Sequence, residues 1–257
     1  MGRSTIIRFV TLVIIGTGIP AVAQDGIYGT FLLGQKFVNF TSMNEELYRL
    51  GVTETMFPNN NWTIGGEGHL ILGKYLVLGG KAFGIVHERV LPQTDPAEPV
   101  RRIRTTAGMG IGTVGINVLP PNTAGLHLYP QFGLGASSFL YQSKRAFTEE
   151  QKEFDTVLIA MKDNIETLGK MGLIMDFSAN LEWYLPFKHF FTIVPGLDFG
   201  LLFHAEAGYS LVPGDLKWRR DFDLNGKDQV EGGPDLKFNG FYFNFGFGVG
   251  LTAPGDK

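Results

Sequence analysis

One stretch near the C-terminus, residues 238–251, alternates large apolar residues with small ones. Every second residue is almost always apolar: Asn239, Phe241, Phe243, Phe245, Phe247, Val249 and Leu251. The residues between them are mostly glycine: Phe238, Gly240, Tyr242, Asn244, Gly246, Gly248 and Gly250. A period of two predicts a β-strand with two unlike faces. Glycine suits the crowded interior of a narrow closed barrel, so the large residues are expected to point outwards to lipid.

The same stretch contains a short motif, Asn244-x-Gly246-x-x-Val249-x-Leu251, with a polar residue, a glycine and two apolar residues spaced by one. The motif resembles the C-terminal signal by which bacterial outer-membrane barrels are recognised for insertion. In that family the last apolar residue is usually Phe or Tyr and usually ends the chain, whereas here it is Leu251 and residues 252–257 follow. The resemblance implies that the barrel-assembly machinery is a partner.

Composition fits one large all-β domain and excludes several other classes. The chain has 257 residues and no cysteine, which excludes disulfides and thiolate metal sites. A formal net charge of −3 gives no electrostatic case for a nucleic-acid partner. Outside the N-terminus no window approaches about eighteen uninterrupted apolar residues, so a helical membrane protein is not expected.

The N-terminus has the pattern of a cleaved secretory signal peptide covering residues 1–23. Arg3 and Arg8 supply a positive end, residues 9–19 are mostly apolar, and Ala21-Val22-Ala23 is a small-x-small cleavage site. The apolar run is short for an uncleaved anchor helix, and no cysteine follows it that would mark a lipoprotein. We therefore expect the barrel to comprise residues 24–257.

The alternation recurs along the mature chain and predicts about eight strands. They cover residues 26–40, 62–72, 76–88, 102–119, 126–141, 171–185, 191–209 and 238–251. The alternation slips near Gly112-Thr113, which predicts a β-bulge. Short helical segments are predicted at residues 44–50 and 148–165. The face assignment of the first strand stays open, because Phe31-Leu32-Leu33 fits either register.

The connections between these strands alternate in length. Three are short turns, at residues 73–75, 120–125 and 186–189, and the others are long and polar. This alternation predicts an antiparallel up-and-down transmembrane barrel with both termini on one side, short periplasmic turns and long extracellular loops. The whole pattern resembles the small outer-membrane barrels of the OmpA-transmembrane, OmpX and OmpW type, and the many barrels of this size in Bacteroidota. The resemblance implies a monomer in the bacterial outer membrane, in contact with lipid and lipopolysaccharide, and no functional residue carries over from those families.

Charged residues on the inward faces are predicted to form a polar network in the lumen: Glu67, Lys81, Arg104, Asp176, Glu182, Asp198, His204 and Glu206. An eight-stranded interior is just wide enough for side chains to fill, which favours a salt-bridged plug over a path for ions or protons. Because Lys81 and Arg104 are too few for five carboxylates, some acids are expected to reach water or share protons.

Two constellations have a chemical interpretation beside a structural one. His204, Glu206 and Asp198 share one strand face, and together with His69, His87 or His127 they suggest a weak catalytic or metal cluster, although filling residues are favoured. Asp221, Asp223 and Asn225 match the first half of a calcium loop. The twelfth position is Gly232 instead of glutamate, so the hairpin tip Asn225-Gly226 is the favoured interpretation.

The expected function is that of a non-enzymatic, integral outer-membrane barrel with a structural or surface-interaction role, a closed lumen and no cofactor. The alternatives are a narrow small-solute channel or ligand-binding barrel, and an outer-membrane lipid-modifying enzyme, which would need a serine beside His204 that the strand does not offer. A soluble, lipocalin-like barrel would instead place bulky apolar residues on the inner face.

Overall fold

Ten β-strands and one short helix make up the described part of the chain. The computed structural model describes residues 24–49, 57–90, 101–119, 125–145, 165–187, 198–220, 229–230 and 233–252. The strands are β1 (Gln24–Phe37), β2 (Asn60–Leu72), β3 (Leu76–Val90), β4 (Arg101–Ile116), β5 (Leu126–Arg145), β6 (Ile165–Pro186), β7 (Asp198–Leu211), β8 (Trp218–Arg220), β9 (Gln229–Val230) and β10 (Gly240–Thr252), and the helix is α1 (Thr41–Arg49). The predicted signal peptide (residues 1–23) lies outside the described residues. So does the predicted helix at 148–165, except for Ile165, which belongs to β6.

Eight of these strands close into an antiparallel barrel, as the sequence predicts. Neighbouring strands pair in the order β5-β4-β3-β2-β1-β10-β7-β6, and β5 also pairs with β6, which closes the ring. The short strands β8 and β9 form a ribbon that continues from β6 at one end. A closed ring leaves none of the eight barrel strands with an unpaired edge.

The strands are staggered around the ring. Following paired residues from Gly26 through Ile71, Val77, Gly115, Gln131, Ser178, Gly208 and Tyr242 leads back to β1 at Lys36 and not at Gly26. Such a stagger tilts the strands relative to the barrel axis and sets the width of the interior.

The two ends of the barrel differ. The end that we call the turn end carries the tight turn after β2, where Gly73 and Lys74 have φ values of 56° and 69° and the Tyr75 N–H donates to the Leu72 carbonyl at 3.3 Å. Positive φ at both central residues is the geometry of a two-residue hairpin, so the predicted turn is confirmed. The opposite end, the loop end, carries α1 and the β8–β9 ribbon.

Two local predictions differ from the structure. The bulge predicted near Gly112-Thr113 is wrong, because β4 pairs without interruption with both β3 and β5. The register shift between β1 and β2 lies instead at Gln24 and Gly26. The predicted helical segment begins earlier than expected, at Thr41, whose N–H donates to the Asn39 side chain at 2.9 Å. No helix in the described ranges is long and apolar enough to cross a membrane.

Candidate functional site in the barrel interior

A layer of charged side chains fills the middle of the barrel. Its members project inward from β2, β3, β6 and β7, and each is at most 5% exposed. We call them the middle layer: Glu67, His69, Lys81, Asp176, Glu182, His204 and Glu206. They meet because inward positions repeat every second residue on each strand, while the register brings strands from opposite walls to the same height.

Inward glycines make room for the large side chains around this layer. A Cβ at Gly208 would lie 2.4 Å from the hydroxyl of Tyr242, its register partner on β10. A Cβ at Gly250 would lie 2.5 Å from the ring of Tyr28. Both distances are too short for real atoms, so each tyrosine occupies the space that a neighbouring glycine leaves.

Lys81 holds one half of the middle layer together. Its ammonium group lies 2.7 Å from an oxygen of Asp176, and it also donates hydrogen bonds to Glu206 and to the Ser178 hydroxyl. The hydroxyl of Tyr242 lies within 2.9 Å of both carboxylates. One lysine therefore balances part of the charge of two acids, in a place where an unpaired charge would be costly.

The second half of the middle layer is built around Glu182. One of its oxygens accepts hydrogen bonds from the Tyr129 hydroxyl at 2.8 Å and from Nδ1 of His204 at 2.9 Å. Its other oxygen lies 3.1 Å from Nε2 of His69, without the alignment of a hydrogen bond. Each imidazole also turns its remaining nitrogen towards Glu67, at 3.8 Å. The two histidines thus bridge two glutamates.

A second buried lysine lies on the loop-end side of the middle layer. Lys36 on β1 is fully buried, donates to the Ser210 hydroxyl at 2.9 Å and lies 4.6 Å from the centre of the Phe238 ring. Ser210 in turn donates to Asp176 at 2.8 Å. Lys36 is not among the residues predicted from sequence, because the apolar residues of β1 left its faces unassigned. Its inward position follows only from the register, which pairs Lys36 with Tyr242 on β10.

Apolar layers close the interior on both sides of the charged residues. The loop-end layer combines inward residues of the strands with α1 and its neighbours, and includes Phe40, Leu47, Phe139, Trp218 and Phe238, all at most 4% exposed. The turn-end layer consists of Tyr28, Ile71, Val77, Tyr129, Tyr184 and Leu202. Side chains therefore fill the lumen along the described structure, with the carboxylates and imidazoles in the middle and the lysines Lys36 and Lys170 against rings of the loop-end layer.

The outer surface has the opposite character. Phe241, Phe245 and Phe247 on β10 are 63%, 69% and 62% exposed. All eight barrel strands contribute large apolar side chains to the same surface, including Ile27, Phe31, Leu33, Ile64, Leu78, Val114, Leu128, Leu134, Leu173, Phe177, Leu181, Leu201, Phe203 and Phe243. A soluble protein does not expose an apolar area of this extent around its whole girth, whereas acyl chains solvate it. The protein therefore has the fold of a transmembrane β-barrel.

Comparison with known proteins finds similarity at the level of solved structures. No protein-family model and no curated protein matches the sequence. The barrel is similar to Ail, the attachment invasion locus protein of Yersinia pestis, solved with the heparin analogue sucrose octasulfate, at 10% identity and a TM-score of 0.39, covering 90% of this chain and 99% of Ail. It is also similar to the outer-membrane protein OprG of Pseudomonas aeruginosa, at 9% identity and a TM-score of 0.33 with 90% and 97% covered. For the outer-membrane protease OmpT of Escherichia coli the identity is 9% and the TM-score 0.34, with 93% and 99% covered. At these values the likeness carries no argument about the role of this barrel.

The barrel brings together six of the eight residues assigned to the lumen network from sequence: Glu67, Lys81, Asp176, Glu182, His204 and Glu206. The assignment of Arg104 to the lumen network is wrong. It lies in register with Glu88 and Gln142 on the outward face, while its neighbours Ile103 and Thr105 are the buried ones. Most inward residues on this half of β4 are apolar, namely Ile103, Ala107 and Met109, so the assignment of the polar residue to the inside fails there.

Asp198 also lies apart from the network. It is partly exposed at the start of β7, at the turn end, where its backbone carbonyl accepts a hydrogen bond from Tyr184 at 2.8 Å. His87 and His127 are separate as well: His87 bonds to Asn61 near the loop end, and His127 contacts the ring of Tyr28. Of the histidines considered for a cluster, only His69 and His204 meet.

The residues of the insertion motif divide between the two faces of β10. Asn244 is buried and donates to Glu206 at 2.8 Å, and a Cβ at Gly246 would lie 2.5 Å from Thr30. Val249 is 47% exposed on the outer surface, and Leu251 is partly exposed. The role of the motif as an insertion signal stays a prediction. Asp221, Asp223 and Asn225 of the calcium-like segment lie outside the described residues.

Proposed function

We propose that this protein is a non-enzymatic, integral barrel of the bacterial outer membrane whose lumen does not conduct. Its role is structural, or it is exercised by the surface at the loop end, which we orient towards the cell exterior. The observation that carries this proposal is the filled interior: two apolar layers enclose a charged layer whose side chains mainly contact one another. In this proposal the barrel is a monomer surrounded by lipid and lipopolysaccharide.

The filled interior also argues against catalysis by the buried acids and histidines. Glu182 and His204 are at most 4% exposed and lie between the two apolar layers, so a substrate in lipid or in water would not reach them. A general acid or base must come within hydrogen-bond reach of the group it serves. An unchanged lipid A mass spectrum in cells that overexpress the protein is the expected result, and a modified lipid A would contradict it.

Planar-bilayer recording tests whether the lumen is closed. The purified barrel is expected to give no stable conductance steps. Replacing a ring in each apolar layer, with Tyr28→Ser and Phe238→Ser together, is expected to produce transient openings. The matched control Phe31→Ser changes an outward ring that is 40% exposed and should stay silent. Stable steps from the unmodified barrel would overturn the proposal in favour of a narrow channel.

The cellular location has a test of its own. Membrane fractionation is expected to recover the protein with the outer membrane, and the unboiled sample should migrate faster on a gel than the boiled one, because a closed barrel resists the detergent. Recovery in the soluble fraction would contradict the location.

A further inference from the structure

Three donor groups converge inside the barrel in a way that the closed-lumen function does not require. Glu67 projects from β2, and His204 and Glu206 project from the same face of β7, a strand that does not neighbour β2. One ligating atom from each of the three lies within 4.8 Å of the others. We propose that the barrel interior binds one divalent transition-metal ion, ligated by Glu67, His204 and Glu206.

Two of the converging atoms have no hydrogen-bond partner among the described residues. Oε2 of Glu67 and Nε2 of His204 are buried, make no hydrogen bond to that part of the chain and face each other at 3.8 Å. Buried polar atoms in native proteins are almost always satisfied. Two electron-rich atoms that face each other in a dry interior repel unless a proton or a metal ion lies between them. At 3.8 Å the two atoms are too far apart to share a proton in a hydrogen bond, whereas a metal ion fits between them.

The other side of His204 is arranged as in a metal site. Nδ1 of His204 lies 2.9 Å from Oε1 of Glu182. The same oxygen accepts a hydrogen bond from the Tyr129 hydroxyl at 2.8 Å. A carboxylate at this position holds the proton on Nδ1 and leaves the lone pair of Nε2 free. Metal-binding histidines almost always donate their second ring N–H to such a group, which fixes the ring and strengthens the ligand.

The charge balance of the interior favours the same ion. Four buried carboxylates, those of Glu67, Asp176, Glu182 and Glu206, face two buried lysines, Lys36 and Lys81, while the third buried lysine, Lys170, donates to the Pro234 carbonyl at the loop end. With ionised carboxylates and neutral imidazoles this part of the described interior has two negative charges in excess, and one divalent cation balances them. Two imidazolium ions would balance the charge equally well. However, a protonated nitrogen beside a carboxylate closes to about 2.8 Å, whereas both histidines stay 3.8 Å from Glu67.

The donor set indicates which ions would bind. One imidazole and two carboxylates suit Zn²⁺ and neighbouring divalent transition ions, whereas Ca²⁺ prefers six to eight oxygen ligands. Donors about 2.0–2.2 Å from a tetrahedral zinc ion lie roughly 3.3–3.5 Å from each other. Glu67 and His204 would therefore approach by only a few tenths of an ångström. Glu206 keeps its bonds to Lys81 and Asn244, because a carboxylate has about four acceptor sites.

Metal analysis of the folded barrel tests this inference. The protein is extracted from membranes in mild detergent without unfolding, washed with EDTA and analysed by mass spectrometry for metal per barrel. A parallel sample is unfolded in urea with EDTA and refolded with one equivalent of Zn²⁺. Since both ends of the lumen are filled, the expected result is about one divalent ion per folded barrel, which EDTA removes only after unfolding.

Variants separate this site from adventitious binding. Glu67→Gln and His204→Asn are expected to lower the bound metal at least tenfold, whereas the control His87→Asn, which changes a histidine outside the cluster, should retain it. Folding of each variant is checked by its mobility on an unboiled gel. The inference would be overturned if the folded wild-type barrel contained no metal in both preparations. It would also be overturned if the variants and the wild type contained equal amounts of metal. If the variants do not fold, nitrogen NMR of the wild type decides: a metal-bound Nε2 on His204 supports the site, and a protonated one refutes it.

Discussion

The stability of the barrel depends on a few buried charged side chains that form ion pairs and hydrogen bonds with one another. Lys81 contacts Asp176, Glu206 and Tyr242, and its side chain is completely buried. Removing one partner of a buried ion pair leaves an uncompensated charge, which is far more costly than losing the pair as a whole. The loss of Lys81 should therefore lower the free energy of unfolding more than the loss of any surface lysine.

Replacing Lys81 by methionine tests this expectation. Lys81→Met is expected to lower the free energy of unfolding by about 3–5 kcal/mol, because Asp176 and Glu206 lose their shared cation. The measurement is urea unfolding in detergent micelles, followed by tryptophan fluorescence. The control Lys237→Met removes a surface ion pair with Asp215, whose side chain is 95% exposed, and should change stability by less than about 1 kcal/mol. Equal losses in the two variants would contradict the central role of Lys81.

At the scale of elements, alternation predicted most of the strands and their faces because outward and inward environments differ so strongly. On β6 the inward Asp176, Asn180 and Glu182 are buried, while the outward Phe177 and Leu181 are exposed, as the alternation predicts. The rule fails where that contrast disappears. On β4 the inward residues near the loop end are mostly apolar, and Thr105 is the exception, which led to the wrong face for Arg104.

The apolar layers at the two ends could not be predicted from alternation. The loop-end layer joins Leu47 of α1 to residues of several strands and to Leu236 and Phe238, which are far apart in sequence. Which of these meet depends on the stagger of the ring and on how α1 packs over the opening. Single-strand patterns contain neither kind of information. The pairing of His69 with His204 was hidden for the same reason.

The packing of α1 over the barrel opening depends on its buried side chains. Leu47 is 3% exposed in the loop-end layer, whereas its neighbour Tyr48 is 69% exposed. Leu47→Asp is expected to detach α1, because an isolated helix of this length is not stable without its packing. Limited proteolysis should then cut the chain near residues 41–49 while the barrel still migrates as a folded species. Tyr48→Asp is the control and should remain resistant, and equal resistance in the Leu47 variant would show that α1 does not depend on this contact.

The outer band, which is the ring of exposed apolar side chains around the barrel, determines the environment in which the protein is stable. The band surrounds the ring, so a charge near its middle must enter the hydrocarbon region. Phe245 pairs with Leu33 and Ala205 in the middle of the sheet and is 69% exposed. It is the natural position at which to test contact with lipid.

Phe245→Lys is expected to reduce the yield of folding into lipid vesicles. The cost of a lysine at the bilayer midplane is about 2–4 kcal/mol, and it falls towards the interfaces. Folding yield is measured by the shift on an unboiled gel as a function of urea. Val90→Lys, at the end of β3 where the chain leaves the sheet and 54% exposed, is the control and should fold nearly as well as the wild type. If both variants folded equally, the band around Phe245 would not be in contact with acyl chains.

The pairing of β1 with β10 has a consequence for the order of assembly. These two strands lie at opposite ends of the described sequence, yet each supplies the hydrogen-bond partners of the other. Until β10 has been synthesised and delivered, both lateral edges of the sheet are open, and Glu206 lacks its neighbours Tyr242 and Asn244. The barrel can therefore close, and complete the contacts of Glu206, only after β10 arrives. Until then its open strand edges must be kept from pairing with other copies of the chain.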